Sequence, residues 1–182
     1  MARDDRMTRV LFEMSILETE LRNRRPDIQK LTDYYDGKQP LAFASEQYRK
    51  WFGDQYAGFA DNWTAPVADA QSERMRLEGV RPKGEKTTNE QLREWWEKAG
   101  AAEEFPLAIS RTAITGRSFA LVWGDDKDGP QVTFEDPAQA IVAYEPGDRR
   151  KRRCGLKIWT DPWTGTDFAT FYTPEFLYKF RR

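Results

Sequence analysis

The strongest concentration of charge in the sequence is a run of five consecutive basic residues, Arg149, Arg150, Lys151, Arg152 and Arg153. Cationic side chains at this density can contact several phosphate groups, and the affinity of such contacts falls as the salt concentration rises. No aromatic residue interrupts the run, so stacking on bases is not indicated. Two interpretations stay open. The run contacts phosphate, or it is a charged loop between two strands, exposed to solvent or paired with an acidic face of a neighbouring subunit.

Two glycine-containing segments resemble ligand-binding loops without completing the pattern. Gly79 and Gly84 have the spacing that opens a phosphate-binding P-loop, but Glu85 stands where that loop requires a lysine. Residues 124–129, followed by Glu135, match several positions of a calcium-binding EF-hand loop, but a glycine occupies the first ligand position. We interpret the first segment as an ordinary loop and the second as a β-hairpin turn.

Adjacent acidic residues could supply the paired carboxylates that nucleases and glycosidases use. The pairs are Glu103 with Glu104, Asp125 with Asp126, and Glu135 with Asp136. Adjacency in sequence does not show convergence on one cleft, so we interpret these residues as surface charge. The sequence also contains no histidine, which is the most frequent general base near neutral pH and the most frequent transition-metal ligand. We therefore predict no catalytic residues, no metal site and no cofactor.

An aromatic stripe is the last candidate site. Tyr48, Trp51 and Phe52 are spaced at i, i+3 and i+4, so a helix would carry them on one face, with Trp63 nearby. Such a stripe could stack on a sugar or a base. Amphipathic helices more often bury such stripes, and we interpret this one as part of a core or of a subunit interface.

The composition limits the class of protein. At 182 residues and 39% hydrophobic residues, the chain can bury one core, or one core with a loosely attached helical arm, and we expect one compact domain. Its 29 basic and 30 acidic residues nearly cancel, so any contact with nucleic acid must be local. A single cysteine, Cys154, and the lack of an apolar N-terminal run favour assembly in a reducing cytoplasm. The apolar stretches are far shorter than the roughly 20 residues that cross a membrane, so we expect no membrane association.

Apolar residues at helical spacing predict a helical first part of the chain. We predict a helical hairpin in which Pro26 begins the second helix and Gly37 ends it. A capping-box pattern at Thr88 and Gln91 begins a later helix, and Gly116 ends the last one. The predicted helices cover residues 8–25, 26–36, 44–54, 61–76, 88–99 and 102–115.

From residue 118 onward the pattern changes to short β-rich runs separated by turn residues. The runs cover residues 119–123, 131–135, 140–144, 156–160, 168–172 and 176–180. The turns between them include Asp136-Pro137 and residues 161–165. The predicted fold class is α+β, with N-terminal helices followed by an antiparallel β-meander.

Three blocks of sequence carry a resemblance to a known family. The first, residues 31–41, contains Tyr34, Tyr35, Asp36 and Gly37; the second, residues 62–79, ends at Gly79; the third, residues 108–174, contains Gly116, Asp136 and Pro137. In order and spacing these blocks resemble the portal proteins, or head-to-tail connectors, of tailed bacteriophages of the siphophage type. The resemblance spans about residues 28–182 and marks the eight named residues as structural positions.

The resemblance implies a fold like the portal wing region. Residues 1–117 would form its helical N-terminal part and residues 118–182 its β-rich part. The family's stem, clip and crown have no counterpart here, so we expect a fragment of a longer subunit or the product of a split gene.

The resemblance also implies a structural, non-catalytic subunit of a homo-oligomeric ring, typically twelve-fold, at one vertex of the capsid. Double-stranded DNA passes through the channel of such a ring during packaging and ejection. The implied partners are the capsid protein, the terminase, and head-completion or adaptor proteins. The implied location is the virion, after assembly in the host cytoplasm.

Three other functions remain open on the sequence. The chain could be another virion adaptor or capsid-associated interaction module, which the stoichiometry of its oligomer would distinguish from a portal. It could be a nucleic-acid-binding domain, for which steep salt dependence through the basic run is the expected mark. It could be a carboxylate-dependent nuclease or glycosidase, whose metal-dependent activity would be lost on substituting Asp126 and Glu135.

Overall fold

The computed structural model describes residues 2–38, 47, 50–51, 62–77, 81, 83–84, 89–125 and 129–181. Within these residues, helices precede strands, and the predicted α+β class is confirmed. The helices are α1 (Ala2–Tyr35), α2 (Thr64–Ser72), α3 (Glu90–Lys98) and α4 (Ala101–Thr115). The strands are β1 (Phe119–Asp125), β2 (Gly129–Glu135), β3 (Ala140–Glu145), β4 (Asp148–Thr160), β5 (Asp167–Tyr172) and β6 (Leu177–Arg181).

The chain divides into two compact units that do not follow the order of the sequence. The first, which we call the sheet unit, combines residues 1–26 with residues 135–182. The second, the helical unit, comprises residues 27–134. Helix α1 therefore contributes its first part to one unit and its last turns to the other.

Helix α1 is continuous, and the predicted helical hairpin is wrong. Pro26 lies inside the helix instead of beginning a second one. A proline in a helix interior removes one hydrogen bond and costs about 3 kcal/mol relative to alanine. Packing of the first part of α1 on the sheet offsets that cost. Just before the proline, the Arg25 Nε donates to the Ala138 carbonyl at 2.8 Å, which also holds this part of the helix in the sheet unit.

The core of the sheet unit lies between α1 and one face of an antiparallel sheet with the strand order β3-β4-β5-β6. Register places Ile141 beside Leu156, Leu156 beside Phe171, and Phe171 beside Tyr178. Helix α1 covers this row with four buried side chains that recur at helical spacing, Val10, Met14, Leu17 and Leu21. Phe171, at 0% exposed, lies at the centre of the core.

The antiparallel strands that follow the helices form two sheets. β1 pairs with β2 in a two-stranded sheet separate from the four-stranded one. The break falls at Asp136-Pro137, where the Asp136 carbonyl accepts from the backbone N–H groups of Gln139 and Ala140, both at 2.9 Å. Proline cannot donate to a ladder, and the buried Pro137 ends the pairing that β2 would otherwise pass to β3.

The helical unit contains its own aromatic cluster. Trp96, Phe105 and Phe134 meet edge to face, with ring centroids 5.9 to 6.4 Å apart. The Asn89 side chain caps α3 by accepting from the Leu92 backbone at 3.1 Å. The predicted cap, Thr88, lies outside the described residues. Among the described residues, no helix combines the length and the apolarity needed to cross a membrane.

Candidate partner-binding surfaces

The basic run lies in a strand, and the prediction of a loop between strands is wrong. β4 begins at Asp148, directly after the turn at Gly147, and continues through all five cations. In the described registers, β5 pairs with β4 only from Gly155 onward. In the pairing with β3, Tyr144 lies opposite Arg152 and the next residue, Glu145, lies opposite Asp148. Residues 149–151 therefore have no partner on β3. β3 and β4 thus pair on both sides of residues 149–151, and these residues form a bulge that lies beyond the end of the β4–β5 pairing.

Arg153 differs from the other four cations. Ala143 pairs with Cys154 and Tyr144 with Arg152, so Arg153 is the extra residue of a β-bulge. Its guanidinium donates to Glu13 of α1 at 2.6 Å. This hydrogen bond is the main reason why the pKa of Glu13 is lowered, and the same contact raises the pKa of Arg153. Arg149, Arg150, Lys151 and Arg152 are exposed, and we call these four residues the basic segment.

A groove of about 500 Å³ lies beside the Arg153–Glu13 pair, and we call it the α1 groove. It is lined by Arg9, Phe12, Glu13, Ile16, Leu17, Ala143, Arg153 and Cys154. Phe12 and Ile16 are four residues apart on α1 and are 64% and 51% exposed. Burial raises the pKa of the Cys154 thiol, which disfavours the reactive thiolate. The groove therefore offers apolar contact with a charged rim.

A hydrogen-bonded turn at the other end of β4 presents an exposed tryptophan. We call residues 161–166 the Trp163 turn, because Trp163 is 94% exposed. The Asp161 carboxylate accepts from the Trp163 backbone at 2.9 Å and from the Thr164 hydroxyl at 2.8 Å, contacts that lower the pKa of Asp161. Backbone bonds from Asp161 to Thr166 and from Gly165 to Asp161 close the turn at 2.9 and 2.8 Å. The tryptophan is thus held on a defined backbone.

The residues of the first sequence block form the end of α1. Gly37 has φ +72°. The Lys38 N–H donates to the Asp33 carbonyl at 2.7 Å, and the Gly37 N–H donates to the Tyr34 carbonyl at 3.4 Å. These two bonds are the Schellman pattern that ends helices at glycine. The Lys38 Nζ forms an ion pair with the Asp36 carboxylate at 2.8 Å.

Tyr35 connects that helix end to α2. Its hydroxyl donates to the Asp69 carboxylate at 2.8 Å, a bond that raises the pKa of Tyr35. The Asn62 side-chain amide donates to the Tyr35 carbonyl at 2.6 Å, and its oxygen accepts from the backbone of Thr64 and Ala65. These contacts attach the end of α1 to the segment that begins α2.

The remaining positions of the resemblance lie at turns or outside the described residues. Gly116 has φ +78° and ends α4, as predicted. The Asp136 carboxylate accepts from the Ala138 backbone at 2.8 Å, and Pro137 is fully buried. Gly79 lies outside the described residues.

The other candidate sites show no convergent groups in the described part of the chain. Residues 79–80 and 85–86 of the P-loop-like segment and residues 126–128 of the EF-hand-like segment are not described. Strands β1 and β2 flank the latter, as expected for a hairpin. No group of three metal-binding side chains occurs among the described residues. Tyr48 and Phe52 are not described, and Trp51 is 82% exposed, so Trp51 is not a core residue of this chain.

Sequence reasoning missed both the α1 groove and the Trp163 turn. Leu11, Phe12 and Ile16 lie off the buried stripe of α1, so the helix is apolar on more than one side. Apolar residues outside the buried stripe of a helix are a sequence signal for an apolar surface beyond the core. Trp163 stands between Pro162 and Gly165, within a segment recognised only as a turn.

Comparison with protein families gives a match over residues 15–182 to the family described as phage portal protein, SPP1 Gp6-like. The chain belongs to the phage portal protein family. The family predicted from the sequence is therefore confirmed. Portal proteins are structural proteins of the bacteriophage virion that act as head-tail connectors in DNA packaging. A comparison with curated proteins finds no match.

Proposed function

We propose that the chain is a structural subunit of the portal ring at the unique capsid vertex and forms part of the DNA conduit for packaging and ejection. The observation that carries this proposal is the family match, which begins at residue 15 and extends to residue 182. The proposed ring is homo-oligomeric and twelve-fold. Its proposed partners are the capsid protein, the terminase and the head-completion or adaptor proteins, after assembly in the host cytoplasm.

We further propose that the described fold is the wing region of that subunit. Residues 1–117 supply its helical part and residues 118–182 its β-rich part. The eight positions of the resemblance act structurally within it. The helix end at Gly37 and its tether through Tyr35 support this role at the first block.

The surfaces of the sheet unit support a ring subunit. A cyclic ring needs two different complementary faces on each subunit, not one face that pairs with itself. The α1 groove and the Trp163 turn are an apolar depression and an apolar projection on the same unit. A catalytic cleft would instead require titratable groups that converge on one point.

Contact of the basic segment with DNA phosphates is a second candidate role. The observation that favours it is the bulge at residues 149–151, which have no partner on β3 or β5 in the described registers, together with the exposure of all four cations. The matched test compares duplex DNA binding by the unsubstituted protein and by a variant with all four cations changed to glutamine. Phosphate contact predicts a steep loss of affinity with salt and a shallower slope in the variant. Equal slopes would rule this role out.

Labelling of assembled particles tests the portal proposal. An antibody to this chain, viewed on phage capsids by electron microscopy, should mark one vertex per particle. Labels spread over the capsid shell would instead support a capsid-associated module. Labels on the tail away from the vertex would support an adaptor.

A further inference from the structure

We propose that Trp163 of one copy of this chain inserts into the α1 groove of the next copy. This proposal rests on the proposed ring and names the contact between its subunits. The partner is a second copy, and the contact is head-to-tail: each copy offers its Trp163 turn to one neighbour and its α1 groove to the other.

Trp163 has the properties of a binding anchor. A tryptophan that is 94% exposed leaves a large apolar surface in water, and tryptophan is among the residues most enriched at binding hot spots. The Asp161 carboxylate and the closing backbone bonds already hold the turn in place. The backbone of the turn would therefore lose little conformational entropy when a partner buries the Trp163 side chain.

The α1 groove can accept such an anchor. Its volume of about 500 Å³ is larger than an indole side chain, and Phe12 and Ile16 expose apolar surface to it. Arg9 lies at the groove with a side chain that is 73% exposed. A guanidinium in that position can stack on the face of an inserted indole.

The charges of the two surfaces are complementary. Residues 160–167 carry Asp161 and Asp167 and no basic residue. The α1 groove has Arg9 and Arg153 on its lining, and the basic segment continues from Arg153 along β4. The only carboxylate that lines the groove, within the described residues, is that of Glu13, which is paired with both arginines. An acidic turn would thus approach a basic groove, which favours this orientation over two like surfaces meeting.

The positions of the two surfaces exclude an intramolecular contact. Cys154 lines the groove, and Asp161 begins the turn seven positions later along the same chain. At about 3.3 Å per strand residue, the two are separated by about 23 Å. Trp163 therefore lies beyond the reach of its own groove. Two different, complementary surfaces on one unit generate a head-to-tail series of subunits, which closes when the rotation between neighbours allows it.

Photo-crosslinking tests the contact. Trp163 is replaced by p-benzoyl-phenylalanine, an aromatic residue of similar size, in a protein made as an equal mixture of light and heavy isotope forms. After illumination, crosslinked peptides are identified by mass spectrometry, and electron microscopy of the same sample records whether rings are present. The expected result is a crosslink from position 163 to residues 9–17 or 143–154 that joins light and heavy chains.

The outcomes separate this proposal from that of the ring. Rings with crosslinks at other positions would overturn the Trp163 contact and leave the ring intact. Groove crosslinks in open chains without rings would support the contact and contradict the ring. A protein without oligomers and without crosslinks between chains would overturn both.

A pair of variants tests the direction of the contact. Trp163→Ala should weaken association by about 30-fold or more, as truncation of a hot spot does. Leu177→Ala, on β6 and 52% exposed, is the control and should leave association unchanged. Phe12→Ser should weaken association like Trp163→Ala. A mixture of these two variants should restore 1:1 dimers through the one intact turn and the one intact groove. If neither variant changes association, the contact is wrong.

Discussion

Helix α1 is attached in two different ways along its length. In the sheet unit, it buries four apolar side chains, Val10, Met14, Leu17 and Leu21, against the sheet. In the helical unit, Ile28 is the one buried apolar residue of its last turns. There, hydrogen bonds at Gly37, Tyr35 and Asn62 hold the helix end.

The stability of the first attachment should depend on the volume of the buried side chains, and that of the second on individual hydrogen-bonding atoms. Burial of apolar surface has no preferred direction, so the first attachment should tolerate side chains of similar volume. Hydrogen bonds require a donor and an acceptor in fixed positions, so the second should respond to the loss of one atom. Four substitutions test this contrast, from the largest expected effect to the smallest.

Leu21→Ala should give the largest loss of stability. Leu21 is 1% exposed, and deletion of a buried leucine side chain typically costs about 2–5 kcal/mol. Leu21→Met, of similar volume, should cost less than about 1.5 kcal/mol. Urea unfolding followed by circular dichroism measures both. Leu31→Ala, 44% exposed on the same helix, is the control, and a loss there equal to that of Leu21→Ala would contradict the volume argument.

Asn62→Ala should destabilise the helical unit by about 1–3 kcal/mol, because it removes a donor to the Tyr35 carbonyl and an acceptor for two backbone N–H groups. Asn62→Asp keeps the acceptor and loses the donor, so it should lie between alanine and asparagine. Hydrogen exchange at the Thr64 and Ala65 N–H groups distinguishes loss of the acceptor from loss of the donor. It should be faster in Asn62→Ala, which loses the acceptor, than in Asn62→Asp, which keeps it. Unchanged exchange in Asn62→Ala would show that the side chain does not hold the helix end.

Gly37→Ala should cost about 1–2 kcal/mol, because alanine disfavours the left-handed backbone at φ +72°. A Cβ at this position would lie at ordinary van der Waals distance, 3.4 Å, from the Asn62 side chain, so backbone strain is the main cause of the loss. Gly147, at φ +80° with open space around it, is the matched control for backbone strain alone. Thermal unfolding should show losses of similar size for Gly37→Ala and Gly147→Ala. A clearly larger loss in Gly37→Ala would contradict backbone strain as the main cause.

Glu13→Gln should have the smallest effect, about 1 kcal/mol, because it weakens the partly exposed ion pairs of Glu13 with Arg153 and Arg9. The pKa of Glu13 is lowered in the folded protein. Its stabilisation is therefore present above the unfolded pKa and is lost as the pH falls through the folded pKa. Stability measured against pH should show this loss in the unsubstituted protein and not in Glu13→Gln. If both proteins lose the same stability as the pH falls, ionisation of Glu13 is not the cause of that loss.

The sequence predicted those parts of the fold that local residue patterns control. Gly37 and Gly116 end helices because each adopts a left-handed backbone, which sequence patterns anticipate. Five of the six predicted β-rich runs lie wholly in strands, and the sixth, 176–180, lies in β6 from Leu177 onward. The α+β class followed from that order of helices and strands.

The missed features depend on contacts between distant residues. Pro26 predicts a helix start locally, but packing of α1 on strands more than a hundred residues later keeps the helix continuous. The basic run belongs to a strand because β4 pairs with β3 at Asp148 and again from Arg152, and the local charge pattern carries no information about that register. Trp163 lies in a turn after β4, whereas the α1 groove is lined by residues of α1, β3 and β4, and no local pattern relates the two.

The most direct test of the central claim is electron microscopy, with mass determination, of the gene product that contains this chain. Membership of the portal family and two complementary faces on the sheet unit predict a closed ring of about a dozen subunits around an axial channel, with this chain at its outer radius. A monodisperse monomer or dimer under the conditions in which capsids assemble would contradict the account.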